Sequence, residues 1–290
     1  KECYEKNHKG VPVLLDDIRN ITGQDLLKLG GVDKVDIVYG SPPCSGFSAN
    51  GLKEDGWGIE KKYSDTVQRV DDLFFEFIRI VNDIRPKVVI AENVKGLTMG
   101  KSSEVLVKIR KEFRKISYKI DCKVLDASDF GVPQKRERLI FIGVRKDLKI
   151  NPTFPLGNGK YMTCRQAIEE FMDDKVGDLP FYSEGTKLYE MVNNYLPPLA
   201  GRKEIQEIKE KYYPTIFESS FRRDKWDLPS YTVGAQHALM HPILNRWMSV
   251  RECQRLMGFP DDFILDNPSP WKNLERLGRA VCPAVMEEVV

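Results

Sequence analysis

The sequence predicts an α/β fold, a largely parallel sheet wound on both faces by helices, and three observations carry that expectation. Short β-rich runs alternate with amphipathic helical runs through the first half, the pattern that parallel sheets with crossover helices leave in a sequence. At 290 residues the chain is long enough to bury such a core. Beyond about residue 150 the alternation stops and turn residues take over, which predicts a second, smaller and less regular domain.

The elements follow in order. "VDIVYG" (35–40) reads as a strand closed by glycine. Val70, Leu73, Phe74, Phe77, Ile78, Val81 and Ile84 recur at helical spacing, and Pro86 closes that helix. "KVVIAENV" (87–94) is the next strand. Val105, Leu106, Ile109, Phe113 and Ile116 mark a second helix. "SYKIDCKVLDA" and "RLIFIGVR" complete the strand set. The first domain is thus expected over 1–150. Residues 151–246, with "NPTFPLGNGKYM", "DLPFYSEG" and "YLPPLAGRK", form the irregular domain, whose clearest helix is "KEIQEIKEK". Residues 247–290 return to the first domain. There, Ser249 followed by Glu252 fits a capping box, and Gly258 is placed to end the helix.

Composition narrows the function classes. The chain is 41% hydrophobic and 30% charged, with a formal net charge of +2, so a nucleic-acid partner would be held by a local basic patch rather than by global charge. No run approaches the roughly 18 apolar residues of a membrane span, and "KECYEKNHKG" lacks the core of a signal peptide. The chain reads as cytoplasmic. Its six cysteines form no C-x-x-C pair, and three histidines accompany them; neither a metal site nor a disulfide framework is suggested.

Two residues stand out by position. Cys44 follows "VDIVYG" and Glu92 follows "KVVIA", so both fall at the carboxyl edge of the sheet, where ligands of open α/β folds sit. In "YGSPPCSGFS" prolines fix the backbone before the thiol, and a Ser-Gly pair frees it afterwards. That suits a nucleophile on a movable loop.

The order of blocks is more specific than any one of them. "GSPPCSGFS", "AENVKGL", "DFGVPQKRERLIFIGVR", "SVRECQRLMGFPDDF" and "LGRAVCPAVMEEV" resemble, in sequence and succession, the motifs of the cytosine-C5 DNA methyltransferases of prokaryotic type. The resemblance implies a Rossmann-like class I methyltransferase fold, S-adenosyl-L-methionine as cofactor, double-stranded DNA as partner and a cognate restriction endonuclease. It also implies a catalytic set. The Cys44 thiolate adds to C6 of a flipped-out cytosine, Glu92 meets N3 and the exocyclic amine, Arg138 reaches O2, and Arg136 steadies the catalytic loop or a phosphate. For the cofactor it implies Asp17 at the adenine amine, Ile18 on the ring, Pro43 and Leu73 along the pocket and Ala280 from the last block. Asp16 is an alternative to Asp17, and "VPVLLDDI" is expected as the strand that delivers them. Ser45, Ser48 and Thr232 are implied DNA contacts, and 151–246 the target-recognition domain.

The sequence also departs from that pattern. Ser45 stands where glutamine is common, Arg279 and Cys282 replace an asparagine and a proline, and the Gly-rich block Phe-x-Gly-x-Gly does not occur. A second chain or further segment supplying that loop is therefore expected. A tRNA cytosine methyltransferase and an inactive sequence-specific DNA-binding module are the alternatives. His237 and His241 have no catalytic counterpart and read as structural residues or phosphate contacts.

Overall fold

The computed structural model describes residues 1–43, 61–63, 66–68, 72–100, 102–172, 179, 183–215, 222–235 and 238–290. The chain divides into two compact units, 1–125 with 137–155, and 126–136 with 156–290.

The first unit opens with helices α1 (Glu2–Asn7) and α2 (Gly23–Gly30), the latter held by a Thr22/Asp25 capping box. Strand β1 (Ile37–Gly40) follows, then a small antiparallel hairpin, β2 (Lys61–Tyr63) and β3 (Thr66–Gln68). Helix α3 (Leu73–Ile84), strand β4 (Val88–Val94), helix α4 (Ser102–Lys115), and strands β5 (Tyr118–Asp126) and β6 (Glu137–Arg145) build the layered core. The sheet order is β1-β4-β6-β5.

The expected parallel character holds for β1 with β4, whereas β4 and β6 run antiparallel. The reason lies in the connection between β5 and β6. It consists of a short turn of 3-10 helix, Ala127–Phe130, and a stretch of irregular chain, too little for the crossover helix that a parallel return requires.

One sheet face buries Val89, Ala91, Leu139 and Phe141 against Phe74, Phe77, Ile78 and Val81 of α3 and Val105, Ile109 and Phe113 of α4. Each of these side chains larger than alanine contributes about 1.5–3 kcal/mol on burial. Gly40 ends β1 where a Cβ would stand 2.7 Å from the Phe77 ring, so α3 packs directly beneath the start of the loop toward Cys44.

The expected strand at "VPVLLDDI" does not form: residues 11–17 carry no ladder. Extended backbone becomes a strand only with a partner, and among the described residues β1 has a neighbour on one side only. Ile37 and Tyr39 of β1 are exposed, as are Val11, Leu14, Leu15 and Val32 in the preceding chain, Leu15 at 78%.

The second unit contains α5 (Cys164–Ile168), α6 (Lys187–Asn194), α7 (Arg202–Tyr212), α8 (Val250–Leu256), α9 (Pro270–Arg279) and α10 (Pro283–Val289). Met191, Val192, Leu196, Ala200, Ile205 and Met240 form one of its cores. The capping box at α8 is present, with Glu252 N–H donating to Ser249 Oγ and Ser249 N–H to Glu252 Oε2, and Gly258 beyond it takes a positive φ of 74°. Residues 247–290 pack in the same unit as 156–246.

His241 is fully buried in this unit, its Nδ1 accepting from the N–H groups of Ile243 and Leu244. Its buried Nε2 lies 3.5 Å from Glu252 Oε1, so the ring is enclosed by its own unit, as the structural reading of it expects. Burial, then the charges of Arg246 and Arg223, pushes its pKa down to about 3. The folded pKa lies below the unfolded one, so its contribution to stability is complete above about pH 6.5 and is lost as pH falls toward 3. The ring protons of His241 are therefore expected to show no titration between pH 8 and 5 by NMR, whereas an exposed histidine titrates there.

Candidate active site

In the first unit the parallel register sets Gly40 beside Ala91, so the residues leaving β1 run alongside the end of β4. Ser41 Oγ donates to Glu92 Oε2 at 2.5 Å, and Asn93 Nδ2 donates to the Pro42 carbonyl at 3.1 Å. From the other side, the antiparallel register places Arg138 opposite Val94, diagonally from Glu92 on the same face. Arg138 Nε meets Glu92 Oε1 at 2.9 Å, with the two side chains 19% and 8% exposed. A carboxylate is thus held at one sheet edge by a hydroxyl and a guanidinium. The next acidic residue along, Glu137, is neutralised by Lys95 Nζ at 2.8 Å and 2.9 Å from its two oxygens.

A second group lies on α3. Arg19 links Asp17 Oδ2 (2.9 Å) to Asp72 Oδ1 (2.6 Å), which ties Asp17 to the residue just before α3, and Ile18 packs against the core. Leu73, the first residue of α3, is buried, and Pro43 is exposed. Asp16 is exposed and accepts from Asn20 instead. The Arg19 backbone N–H, then its side chain, hold the Asp17 carboxyl below its usual range against the opposing effect of burial, so at neutral pH it is an ionised acceptor.

In the second unit Arg136 is 2% exposed and its guanidinium donates to the carbonyls of Val233 (3.0 Å), Gly278 (2.8 Å) and Ala280 (2.8 Å). It clasps the end of α9 to the segment around Thr232, whose hydroxyl donates to the Lys135 carbonyl at 2.7 Å. Gly278 is fixed by the same approach: a Cβ there would lie 2.3 Å from the Ala235 nitrogen. Arg136→Ala would leave buried carbonyls without donors and is expected to lower the unfolding free energy by about 3 kcal/mol or more, measured by denaturant titration.

The arrangement brings Glu92 and Arg138 together, and a comparison of sequences decides the family. A family profile described as C-5 cytosine-specific DNA methylase matches residues 1–290. The chain belongs to the C-5 cytosine-specific DNA methylase family. Similar curated proteins are the Type II methyltransferase M.FnuDI of Fusobacterium nucleatum, 32% identical over 97% of this chain and 80% of the relative, and M1.HphI of Haemophilus parahaemolyticus, 31% identical over 99% and 76%. The solved structure of Schizosaccharomyces pombe Dnmt2 methyltransferase aligns with a TM-score of 0.59 at 18% identity, covering 99% of this chain and 85% of that one, which shows the shared fold.

This methylase is an enzyme acting on DNA, with S-adenosylmethionine as the methyl donor of its family. In the Asp17 group an ionised carboxylate, both oxygens accepting from Arg19, is followed by the partly buried Ile18, and Leu73 is buried at the start of α3. The methylase's last block contributes differently: the Ala280 carbonyl is engaged by Arg136. Cys44, Ser45 and Ser48 lie outside the described residues, as does His237. No helix among the described residues is long and apolar enough to cross a membrane.

Two residues of the site were not assigned from the sequence. Asn93 stands inside the "AENV" block and Ser41 inside "GSPPC", yet only the strand register shows that they join the two blocks. The signal was their adjacency to the residues that were named.

Proposed function

We propose that this methylase modifies cytosine in double-stranded DNA through Cys44, Glu92 and Arg138, as the modification partner of a restriction endonuclease in the cytoplasm. The observation that supports the reading most strongly is the Glu92–Arg138 pair at the carboxyl end of β4, beside the chain that leads into Cys44. The Cys44 thiolate adds to C6, and the ring electrons displaced toward N3 are met by a proton from Glu92. Arg138 is already within reach of Glu92, and turning toward the base would place its donors on O2. S-adenosylmethionine, when bound, would supply the methyl group to C5 and leave as the thioether, after which a base such as water takes the C5 proton and the Cys44 thiolate is expelled from C6. Duplex DNA stacks the base out of reach, so the cytosine is flipped out, at a cost of a few kcal/mol.

In the second unit, Arg136 braces the segment that presents Thr232, and Thr232 with residues 151–246 contacts and reads the DNA. Asp17, Ile18, Pro43 and Leu73 serve the cofactor. A further segment or second chain is proposed to add a strand beside β1, which has a neighbour on one side only among the described residues and carries the exposed Ile37 and Tyr39, since an unpaired apolar edge is otherwise a site of aggregation. The amide of Tyr39 or its neighbours would then exchange slowly in the assembled enzyme and quickly in residues 1–290 alone. Equal exchange would remove the added strand from the account.

The test of the substrate is product analysis. Duplex DNA treated with the enzyme and S-adenosylmethionine is expected to yield 5-methyldeoxycytidine on digestion, with tRNA unmodified. Methylation of tRNA alone would overturn the reading.

A further inference from the structure

Glu92 has a requirement that Arg138 cannot meet alone. A guanidinium only donates hydrogen bonds and favours the ionised carboxylate. In the proposed reaction Glu92 must instead carry a proton and pass it to N3, while Arg138 is drawn toward the base. A carboxyl group held only by Arg138 would lose its anchor at the moment of transfer.

Ser41 supplies a second anchor of a different kind. Its hydroxyl donates to Oε2 while Arg138 takes Oε1, so one oxygen is held by the residue that follows β1 and the other from β6. A hydroxyl can donate to a carboxylate and can equally accept from a carboxylic O–H. It therefore holds Glu92 in either protonation state and does not oppose the protonated one as a cation does. Ser41 is also three residues before Cys44, and Pro42 between them is gripped by Asn93. Both residues that fix the approach to the thiol are thus fastened to Glu92 and its neighbour.

We propose that Ser41 is a positioning residue for the methyl transfer: it holds the Glu92 carboxyl in register with the cytosine ring through the proton transfer and ties that group to the strand that leads to Cys44. The proposal rests on the roles given above to Cys44 and Glu92. The proton balance is simple. The hydrogen on Glu92 passes to N3, the thiolate sulfur gains its bond to C6, and the Ser41 hydroxyl reorients without gaining or losing a proton.

The test compares Ser41→Ala and Ser41→Thr with the wild type in the full-length enzyme, by single-turnover methylation of duplex DNA and by DNA titration. Loss of one hydrogen bond to an ionisable group corresponds to about a 10- to 100-fold effect. Ser41→Ala is expected to slow the single-turnover rate by about that factor with DNA affinity changed less than about twofold. Ser41→Thr, which keeps the hydroxyl, is expected to recover most of the rate. A wild-type rate in Ser41→Ala, equal slowing in both variants, or a loss confined to DNA affinity would overturn the proposal. The underlying reading fails separately: a wild-type enzyme that methylates DNA without a covalent adduct at Cys44 removes the roles on which the proposal stands.

Discussion

Cys44→Ser is expected to abolish methyl transfer, lowering the rate by at least about 10⁴-fold. The step it removes is addition to C6, without which C5 is a poor nucleophile, and a serine hydroxyl at neutral pH is far less ionised and less nucleophilic than a thiol. DNA binding is expected to survive, because the positioning contacts are supplied by other residues. The measurement is incorporation of labelled methyl groups from S-adenosylmethionine into duplex DNA, alongside a binding titration on the same DNA. Full activity in the variant would exclude Cys44 as the nucleophile.

Glu92→Gln carries the second largest expected effect. Glutamine keeps the shape and leaves one oxygen able to accept from Ser41 or Arg138, but it cannot deliver a proton to N3. Loss of a general acid lowers the rate by about 10²–10⁴-fold. Because Arg138 would then face a neutral amide in a site where Glu92 is only 6% exposed, some stability should also be lost. Breaking a buried pair from one side costs up to about 3–5 kcal/mol, and the partial exposure of Arg138 reduces that figure. Single-turnover kinetics together with thermal unfolding separate the two effects. A variant that is destabilised yet transfers methyl groups at the wild-type rate would reduce Glu92 to a structural ion pair.

Much of the fold was legible because the relevant signals are local. Helix α3 could be read from its run of apolar residues at helical spacing, and its boundary from Pro86. The cap of α8 was set by Ser249 and Glu252, three residues apart. Strand direction was not legible. Whether β6 runs with or against β4 depends on the chain between β5 and β6 failing to form a crossover helix, and a hydrophobic pattern of period two looks the same in either direction. The run "VPVLLDDI" misled for a related reason. Its β propensity is real, but a ladder needs a neighbour, and none lies beside it among the described residues.

The site divides in the same way. Glu92 and Arg138 could be named from their blocks, and the structure joins them in one ion pair. Ser41 and Asn93 act through residues about 50 positions away in sequence, a relation visible only once β1 and β4 are set in parallel register. Arg136 shows the opposite case. The sequence placed it near phosphate or the catalytic loop, whereas its guanidinium is buried against three carbonyls from two distant segments of the second unit. Nothing in "QKRER" says which of the alternating side chains turns inward.

The central claim is that a covalent bond forms between Cys44 and the target cytosine. The most direct measurement is to incubate the full-length enzyme and S-adenosylmethionine with a methylatable duplex in which 5-fluorocytosine replaces the target base, then to denature and map the modified peptide. The fluorine at C5 blocks the elimination that would release the thiol, so the adduct accumulates. The account predicts one denaturant-stable adduct, located at Cys44 and absent from Cys44→Ser. An adduct on another cysteine, or none on a duplex that the enzyme methylates when it carries ordinary cytosine, would contradict it.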